Sequence, residues 1–292
     1  MTLSVLVTSF ESPATLRKCL ESLTRQAEAG EIWVADCSRE SPERTLGPLF
    51  PAVKFLHFDT PRSVPRLRWA AYFESRGDLI AATEARCIPS PRWCAEVIDA
   101  HRRFPETPAI GGPVDVAAGA SPADLALYFC EYGLFAPPGT DAEVPAISGA
   151  NLSWKRAALE ESADLLRAGE WETLLHARWV ERGRYPRFGR ATVVFENTMR
   201  AGTALRQRFH YGRGYAADRV RGRGVPVRIL FALASPLLPA FLLRRLGAAA
   251  ARSRRGRDFL RALPWTLALT VAWSFGEFAG YVSGAPSRSQ IF

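Results

Sequence analysis

Short, almost wholly apolar runs alternate with amphipathic stretches along the first half of the chain. The apolar runs are LSVLVTSF (3–10), EIWVADCS (31–38), VKFLHFD (53–59) and DLIAATE (78–84). Their length and aliphatic content predict strands buried on both faces. Between them, ATLRKCLESLTRQ (14–26) repeats Leu16, Cys19, Leu20 and Leu23 at helical spacing, and Ser12-Pro13 supplies a cap and first turn. PRLRWAAYFESRG (65–77) and PRWCAEVIDAHRRFP (91–105) read as two further helices. Strands alternating with helices predict βαβ units, hence an α/β fold with a mostly parallel sheet and flanking helices. Ligands bind such sheets at the carboxyl ends of the strands. Here that edge comprises Thr8-Ser9-Phe10, Asp36-Cys37-Ser38 and Thr83 to Arg86. Further on, AISGANLSWKRAALEES (146–162) predicts a short strand or loop and then a helix. GEWETLLHARWVERG (169–183) predicts a helix that ends at Gly183.

The pattern changes after residue 200. RQRFHYGRGYAADRVRGRG (206–224) interleaves arginines with Phe209, Tyr211 and Tyr215. Two apolar segments follow. VRILFALASPLLPAFLL (227–243) carries no charge after Arg228 but contains Pro236 and Pro239, and LPWTLALTVAWSFGEFAGYV (263–282) contains Glu277 as its one charge. Each is near the lower limit of ~17–20 residues that a bilayer span requires. The sequence therefore suggests three regions: a domain over 1–200, a basic aromatic juxtamembrane segment over 201–225, and membrane-associated helices over 226–292.

Charge sharpens this division. The net charge is +9, yet residues 1–199 hold 22 Lys/Arg against 26 Asp/Glu, and residues 200–261 hold 15 Arg against 2 Asp. So basic a section implies an anionic partner, either nucleic acid or a membrane surface. The apolar segments that follow it favour the membrane, so no nucleic-acid partner is expected. Seven arginines lie in 244–261, which the positive-inside rule places on the cytosolic side. That conflicts with two simple spans. An interfacial or re-entrant helix pair, a two-helix hairpin, and soluble helices packed together all remain open.

Five scattered cysteines without a CxxC pair read as reduced thiols in a cytosolic compartment. The four histidines show no zinc spacing. MTLSVLVTSF lacks the basic and long apolar regions of a signal peptide and reads as a first buried strand.

Five segments occur in an order that resembles family 2 glycosyltransferases: SVLVTSFESPATLRKCLESLTRQ, EIWVADCS, RLRWAAYFESRGDLIAATEARCIPSPRW, ISGANLSWKRAAL and WETLLHARWVERG. The match covers roughly residues 3–190. The resemblance implies a GT-A fold, Rossmann-like, here extended by a C-terminal apolar helical region. It also implies a nucleotide-sugar donor, a lipid-linked or glycan acceptor, and inversion at the anomeric carbon. By position it implies donor contacts at Thr8, Ser9, Phe10, Asp36, Arg68, Glu84 and Arg86. It implies an acceptor contact at Asn151 and a general base at Glu172. His176, four residues on, would share a helix face with Glu172; the plain alternative is an exposed Glu–His pair. Arg208 and Arg213 are candidates for gripping an acceptor diphosphate. Together these features place the protein at the cytoplasmic face of the inner or plasma membrane, against an anionic membrane surface.

The loop after the fourth strand departs from the family. Where two or three aspartates would hold Mg²⁺ or Mn²⁺, this chain reads Glu84-Ala85-Arg86. A guanidinium repels a divalent cation but pairs with phosphate through two charge-assisted hydrogen bonds. Arg86 then replaces the metal, or Glu84 alone holds one through water. Arg86 could also simply form a salt bridge to Glu84 or Asp36. A fourth reading is a catalytically inactive relative that binds a nucleotide sugar or serves as a scaffold.

Overall fold

The computed structural model describes residues 1–284; residues 285–292, the end of the apolar C-terminal region, lie outside it. The chain divides into two compact units. One comprises Met1–Ala117 and Phe135–Glu196, the other Ala118–Leu134 and the chain from Asn197 onward. The sequence reading counts residues 118–134 with the first domain, whereas in the structure they belong to the second unit.

In the first unit the elements follow the predicted alternation. They are β1 (Leu3–Ser9), α1 (Pro13–Leu23), β2 (Glu31–Asp36), α2 (Glu43–Leu46), β3 (Val53–His57), α3 (Val64–Glu74), β4 (Leu79–Glu84), β5 (Cys87–Pro89), α4 (Trp93–Arg103), β6 (Ala109–Gly111) and β7 (Val114–Val116). The chain leaves this unit for α5 (Pro122–Tyr132) and returns with β8 (Ala142–Glu143), β9 (Asn151–Lys155), α6 (Arg156–Glu160), α7 (Ala163–Ala168), α8 (Glu172–Glu181), β10 (Arg187–Phe188) and β11 (Val193–Phe195).

An eight-stranded sheet runs β3-β2-β1-β4-β9-β6-β10-β8, and a small sheet runs β5-β11-β7. Strands β3, β2, β1 and β4 are parallel. Every residue of β1 is buried, as a central strand covered on both faces requires. The sheet changes direction at β9, which is antiparallel to both neighbours. As a result Asn151, at the start of β9, lies beside Thr83 at the end of β4. The GAN segment is thereby delivered to the carboxyl edge of the parallel strands. Helix α1 starts with Pro13 at its first turn and buries Leu16, Cys19, Leu20 and Leu23, the face predicted from spacing. All five cysteines are free thiols.

Two histidines are locked in this unit's core. His101 and His176 are each 1% exposed. Burial pushes the imidazole pKa down to about 3 for His101, with Lys155 adding to the effect. Burial pushes His176 down to about 4, with Glu172 opposing the shift and Arg68 adding to it. Both are neutral in the folded state at pH 7, whereas the unfolded chain takes up protons near pH 6.5. Their contribution is therefore complete above about pH 6.5 and is lost as the pH falls toward 4. At pH 5 the expected loss is about 2 kcal/mol per histidine relative to pH 7. Urea midpoints at the two pH values check this; a flat midpoint would mean that the imidazoles are not buried neutral.

The second unit is helical among its described residues. It contains α5, α9 (Ala201–Arg219), α10 (Val225–Ala234), α11 (Leu238–Arg252) and α12 (Gly256–Ser283). The segment read as a basic aromatic stretch thus folds as a 19-residue helix. Its glycines argue against helix by propensity, but they let two backbones meet. A Cβ on Gly212 would strike the Trp273 carbonyl, and one on Gly276 or Gly280 would strike the Phe209 or Arg213 carbonyl. Ala216, Val220, Ala232 and Tyr281 form a small core in this unit, with Phe231 packed against it. Val225–Arg252 is, by length and composition, the one helix among the described residues able to cross a bilayer, with mean hydropathy 1.8. Segment 263–282 lies within α12, where Glu277 is buried.

Candidate functional site

The strand register assembles the carboxyl edge. Thr8 lies beside Glu84, Ser9 beside Asp36, and Asp36 beside His57. Thr8 and Ser9 are buried, and the Thr8 hydroxyl has no hydrogen-bond partner among the described residues. A buried hydroxyl in that state at a sheet's carboxyl edge suits a polar ligand atom. Phe10 is partly exposed at the head of the following loop.

Asp36 is 1% exposed and held on every side. Its Oδ1 accepts from the Ser38 amide at 2.8 Å and lies 3.2 Å from His57 Nδ1, and its Oδ2 accepts from the Ser38 hydroxyl at 2.8 Å. Ser38 in turn accepts from the Glu11 amide at 2.6 Å. Glu11 sits at φ 46° and accepts from the Arg39 amide at 3.0 Å. The first two edge loops are therefore pinned to each other. Asp36 acts as their anchor, with His57 as the more exposed member of the pair.

Glu84 ends β4, and Arg86 lies in the turn to β5. The Arg86 guanidinium lies 5.5 Å from the Phe195 ring centre, and its carbonyl accepts from the Glu196 amide at 2.8 Å. The loop is held from below by Thr83, whose hydroxyl donates to Cys87 O and Ala150 O, both at 3.0 Å. Thr83 thus ties the TEAR loop to the GAN segment, a link the sequence reading does not identify.

Behind the GAN segment lies a buried ion pair. Arg68 is fully buried on α3; its Nη1 donates to Glu172 Oε2 at 2.6 Å and its Nη2 to Gly149 O at 2.9 Å. Glu172 opens α8 and is 5% exposed. Its other oxygen, Oε1, occupies the space that a Cβ on residue 149 would need. Gly149 is therefore required as glycine for the carboxylate to sit where it does. Trp69, next to Arg68, donates to Glu170 O at 2.7 Å and fixes the approach to α8. The Glu172–His176 neighbourhood is buried, not the exposed pair that surface spacing allows. His176 lies against Trp179, with ring centres 5.9 Å apart.

Asn151 requires a correction. Its side chain is 1% exposed, accepts from Trp93 Nε1 at 2.8 Å, and donates to Pro113 O and Ala191 O at 2.8 Å each. Three internal partners leave this amide framing the site, not facing an acceptor. Arg208 and Arg213 belong to α9 of the other unit. Arg208 is 8% exposed with its guanidinium 4.6 Å from the Trp273 ring centre, so it packs as a cation on an aromatic face. Arg213 is half-buried on the same helix.

The donor set does not suit a resident divalent cation. No group of three or more His, Cys, Asp or Glu able to hold one occurs among the described residues. The TEAR loop offers one carboxylate, with a guanidinium two residues away.

No family model and no curated protein matches the chain. Solved structures do. A mannosyltransferase from Pyrobaculum calidifontis in complex with GDP-Man and Mn²⁺ matches with a TM-score of 0.54 at 16% identity, over 94% of this chain and 86% of that one. The fold is GT-A. Two structures of glucosyl-3-phosphoglycerate synthase from Mycobacterium tuberculosis, both with Mn²⁺ and UDP, match with TM-scores of 0.50 and 0.51 at 12% and 13% identity. They cover 75% and 76% of this chain and 78% and 81% of theirs. The mostly parallel sheet with flanking helices and the apolar C-terminal helix agree with the GT-A fold expected from the sequence.

Proposed function

We propose that this protein is an inverting, nucleotide-sugar-dependent glycosyltransferase whose acceptor is lipid-linked or a glycan. The observation that carries the reading is the Glu172 carboxylate. One oxygen is held by Arg68, and the other lies over Gly149 beside the carboxyl edge of the GT-A sheet. Inverting transfer needs one base to take the acceptor's hydroxyl proton and positive charge to receive the departing diphosphate. Glu172 supplies the base. Arg68 orients it through the bond to Oε2. Thr8, Ser9, Phe10 and the Asp36–His57 pair line the nucleoside side.

Arg86 takes the place of metal charge at the diphosphate, and Glu84 contacts the donor's ribose. A guanidinium donates two parallel hydrogen bonds to phosphate oxygens without needing carboxylate ligands. Donor hydrolysis and binding, measured with Mg²⁺, Mn²⁺ or EDTA, test this. The expected result is metal-independent binding that falls at least tenfold in Arg86→Ala, consistent with the ~1.5–3 kcal/mol of a charge-assisted bond. Strong inhibition by EDTA would overturn the arginine-for-metal reading and return a cation to Glu84.

The second unit supports attachment to the cytoplasmic face of a membrane. Val225, Ile229, Leu233, Leu237 and Phe241 recur at every fourth position and are between 54% and 73% exposed. Helix α12 packs along α9, which carries Arg206, Arg213 and Arg219. A charged helix lying along its partner suits one leaflet's interface better than a full span.

A second reading, a non-catalytic GT-A protein that binds a nucleotide sugar, draws support from Arg86 in the loop where the family carries aspartate. Loss of hydrolysis in Glu172→Gln separates the two.

A further inference from the structure

A cavity of about 380 Å³ opens in the second unit where α9 turns into α10. Its lining includes Ala217, Asp218, Arg221, Arg223, Arg228 and Gly284. Gly222, at φ 75°, makes the turn that brings Arg221 and Arg223 to the same rim. Arg221 is held by Asp218 at 2.5 Å, which offsets one of the three charges. Arg228 is fixed differently: its Nε donates to Tyr281 O at 3.0 Å and its Nη2 to Val282 O at 2.6 Å, the free carbonyls at the end of α12. It has no acidic partner among the described residues. Arg223 is exposed, and its side chain makes no ion pair or hydrogen bond among them. Helix α10 begins at this rim with Gly224 at its cap, no side-chain cap and no acidic residue in its first turn. The cavity thus gathers a net surplus of guanidinium charge, which suits a phosphate group.

Its surroundings indicate the source of that phosphate. Exposed apolar residues follow the cavity rim: Val225, Ile229 and Leu233 on α10, then Leu237 in the short 3-10 turn and Phe241 on α11. They are followed by the exposed Arg244 and Arg245. A phosphate site at the head of an apolar stripe matches one lipid, with its head in the cavity and its chains along the stripe. A soluble anion would have no use for the stripe.

We propose that the Arg221–Arg223–Arg228 cavity binds the phosphate of a membrane lipid and prefers a phosphomonoester headgroup, seating the second unit on the bilayer. This rests on the membrane attachment argued above and names the lipid chemistry that attachment recognises.

The test is flotation of the full chain with three vesicle types: phosphatidylcholine alone, phosphatidylcholine with phosphatidylglycerol, and phosphatidylcholine with phosphatidic acid at matched surface charge. The wild type should partition onto phosphatidic acid vesicles about fivefold more strongly than onto phosphatidylglycerol vesicles, roughly the value of one well-placed arginine. Arg223→Ala should erase that preference while leaving phosphatidylglycerol binding within about twofold. Leu233→Asp with Leu237→Asp should lose binding to every vesicle. Equal binding of wild type to both anionic vesicles, or a preference surviving in Arg223→Ala, overturns the cavity assignment alone. A wild type that binds no vesicle overturns the membrane reading beneath it. Calorimetry with inorganic pyrophosphate and with short-chain phosphatidic acid separates the two phosphate sources. Equal affinity for pyrophosphate would assign the cavity to a soluble anion and overturn the lipid.

Discussion

Arg68→Met is expected to lower the unfolding free energy by about 3–5 kcal/mol, the cost of leaving a buried charge without its partner. Arg68 is fully buried and Glu172 is 5% exposed, so little water reaches the abandoned carboxylate. The substitution removes two hydrogen bonds at once, to Glu172 Oε2 and to Gly149 O. The second loss frees the GAN segment, because the Gly149 carbonyl is Arg68's other anchor. Methionine keeps much of the volume, so the loss is electrostatic more than a cavity effect. Pairing it with Glu172→Leu should recover a substantial part of the stability, since a buried pair replaced as a pair costs far less than one broken. Urea denaturation of the wild type, the single variant and the double variant measures this. A single-variant loss below about 1 kcal/mol, the range of an exposed pair, would show that the ion pair is open to solvent.

The sequence revealed the scaffold and its edge but not the environment of the side chains there. The strands 3–10, 31–38, 53–59 and 78–84 were legible as apolar runs, although β3, the outermost strand of the sheet, is only partly buried. The edge followed from that, since parallel strands bring Thr8, Asp36 and Glu84 to one side. Burial of the polar residues was not legible. Arg68 lies within a helix pattern where an arginine reads as solvated, and nothing local announces that Glu172, over a hundred positions away, neutralises it. Asn151 fits an acceptor motif by position, but its amide is consumed by Trp93, Pro113 and Ala191, partners on a helix and two loops distant in sequence. The one available signal was Gly149 immediately before Ala150-Asn151. A glycine there meant that something must come close, and in the structure that is the carboxylate. Helix α9 was hidden for the opposite reason. Its glycines and arginines suppress the helical pattern, and only contact with the small residues of α12 shows why a helix forms.

Glu172→Gln is expected to reduce sugar transfer by about 10²–10⁴-fold in kcat while leaving the donor's KM within a few-fold. Glutamine preserves the volume, and its carbonyl oxygen can still accept from Arg68, so Gly149 and the sheet edge stay in place. What it removes is the ability to take a proton, needed only as the acceptor hydroxyl attacks. A loss confined to kcat identifies an interaction made in the transition state, whereas a loss in KM alone would identify a binding contact. The paired arginine bears on the size of the effect. Arg68 fixes Oε2 and leaves Oε1 against Gly149, so a single oxygen is positioned for the acceptor, and the alignment that makes proton transfer efficient is built before the acceptor arrives. Stability is a second readout: glutamine keeps the volume and a hydrogen bond but leaves the buried Arg68 guanidinium without its counter-charge, so a loss of up to about 3–5 kcal/mol is expected and kcat is read on the folded variant. A folded Gln variant with full kcat would remove Glu172 from the reaction. It would leave the arginine–glutamate pair as architecture and favour the nucleotide-sugar-binding reading.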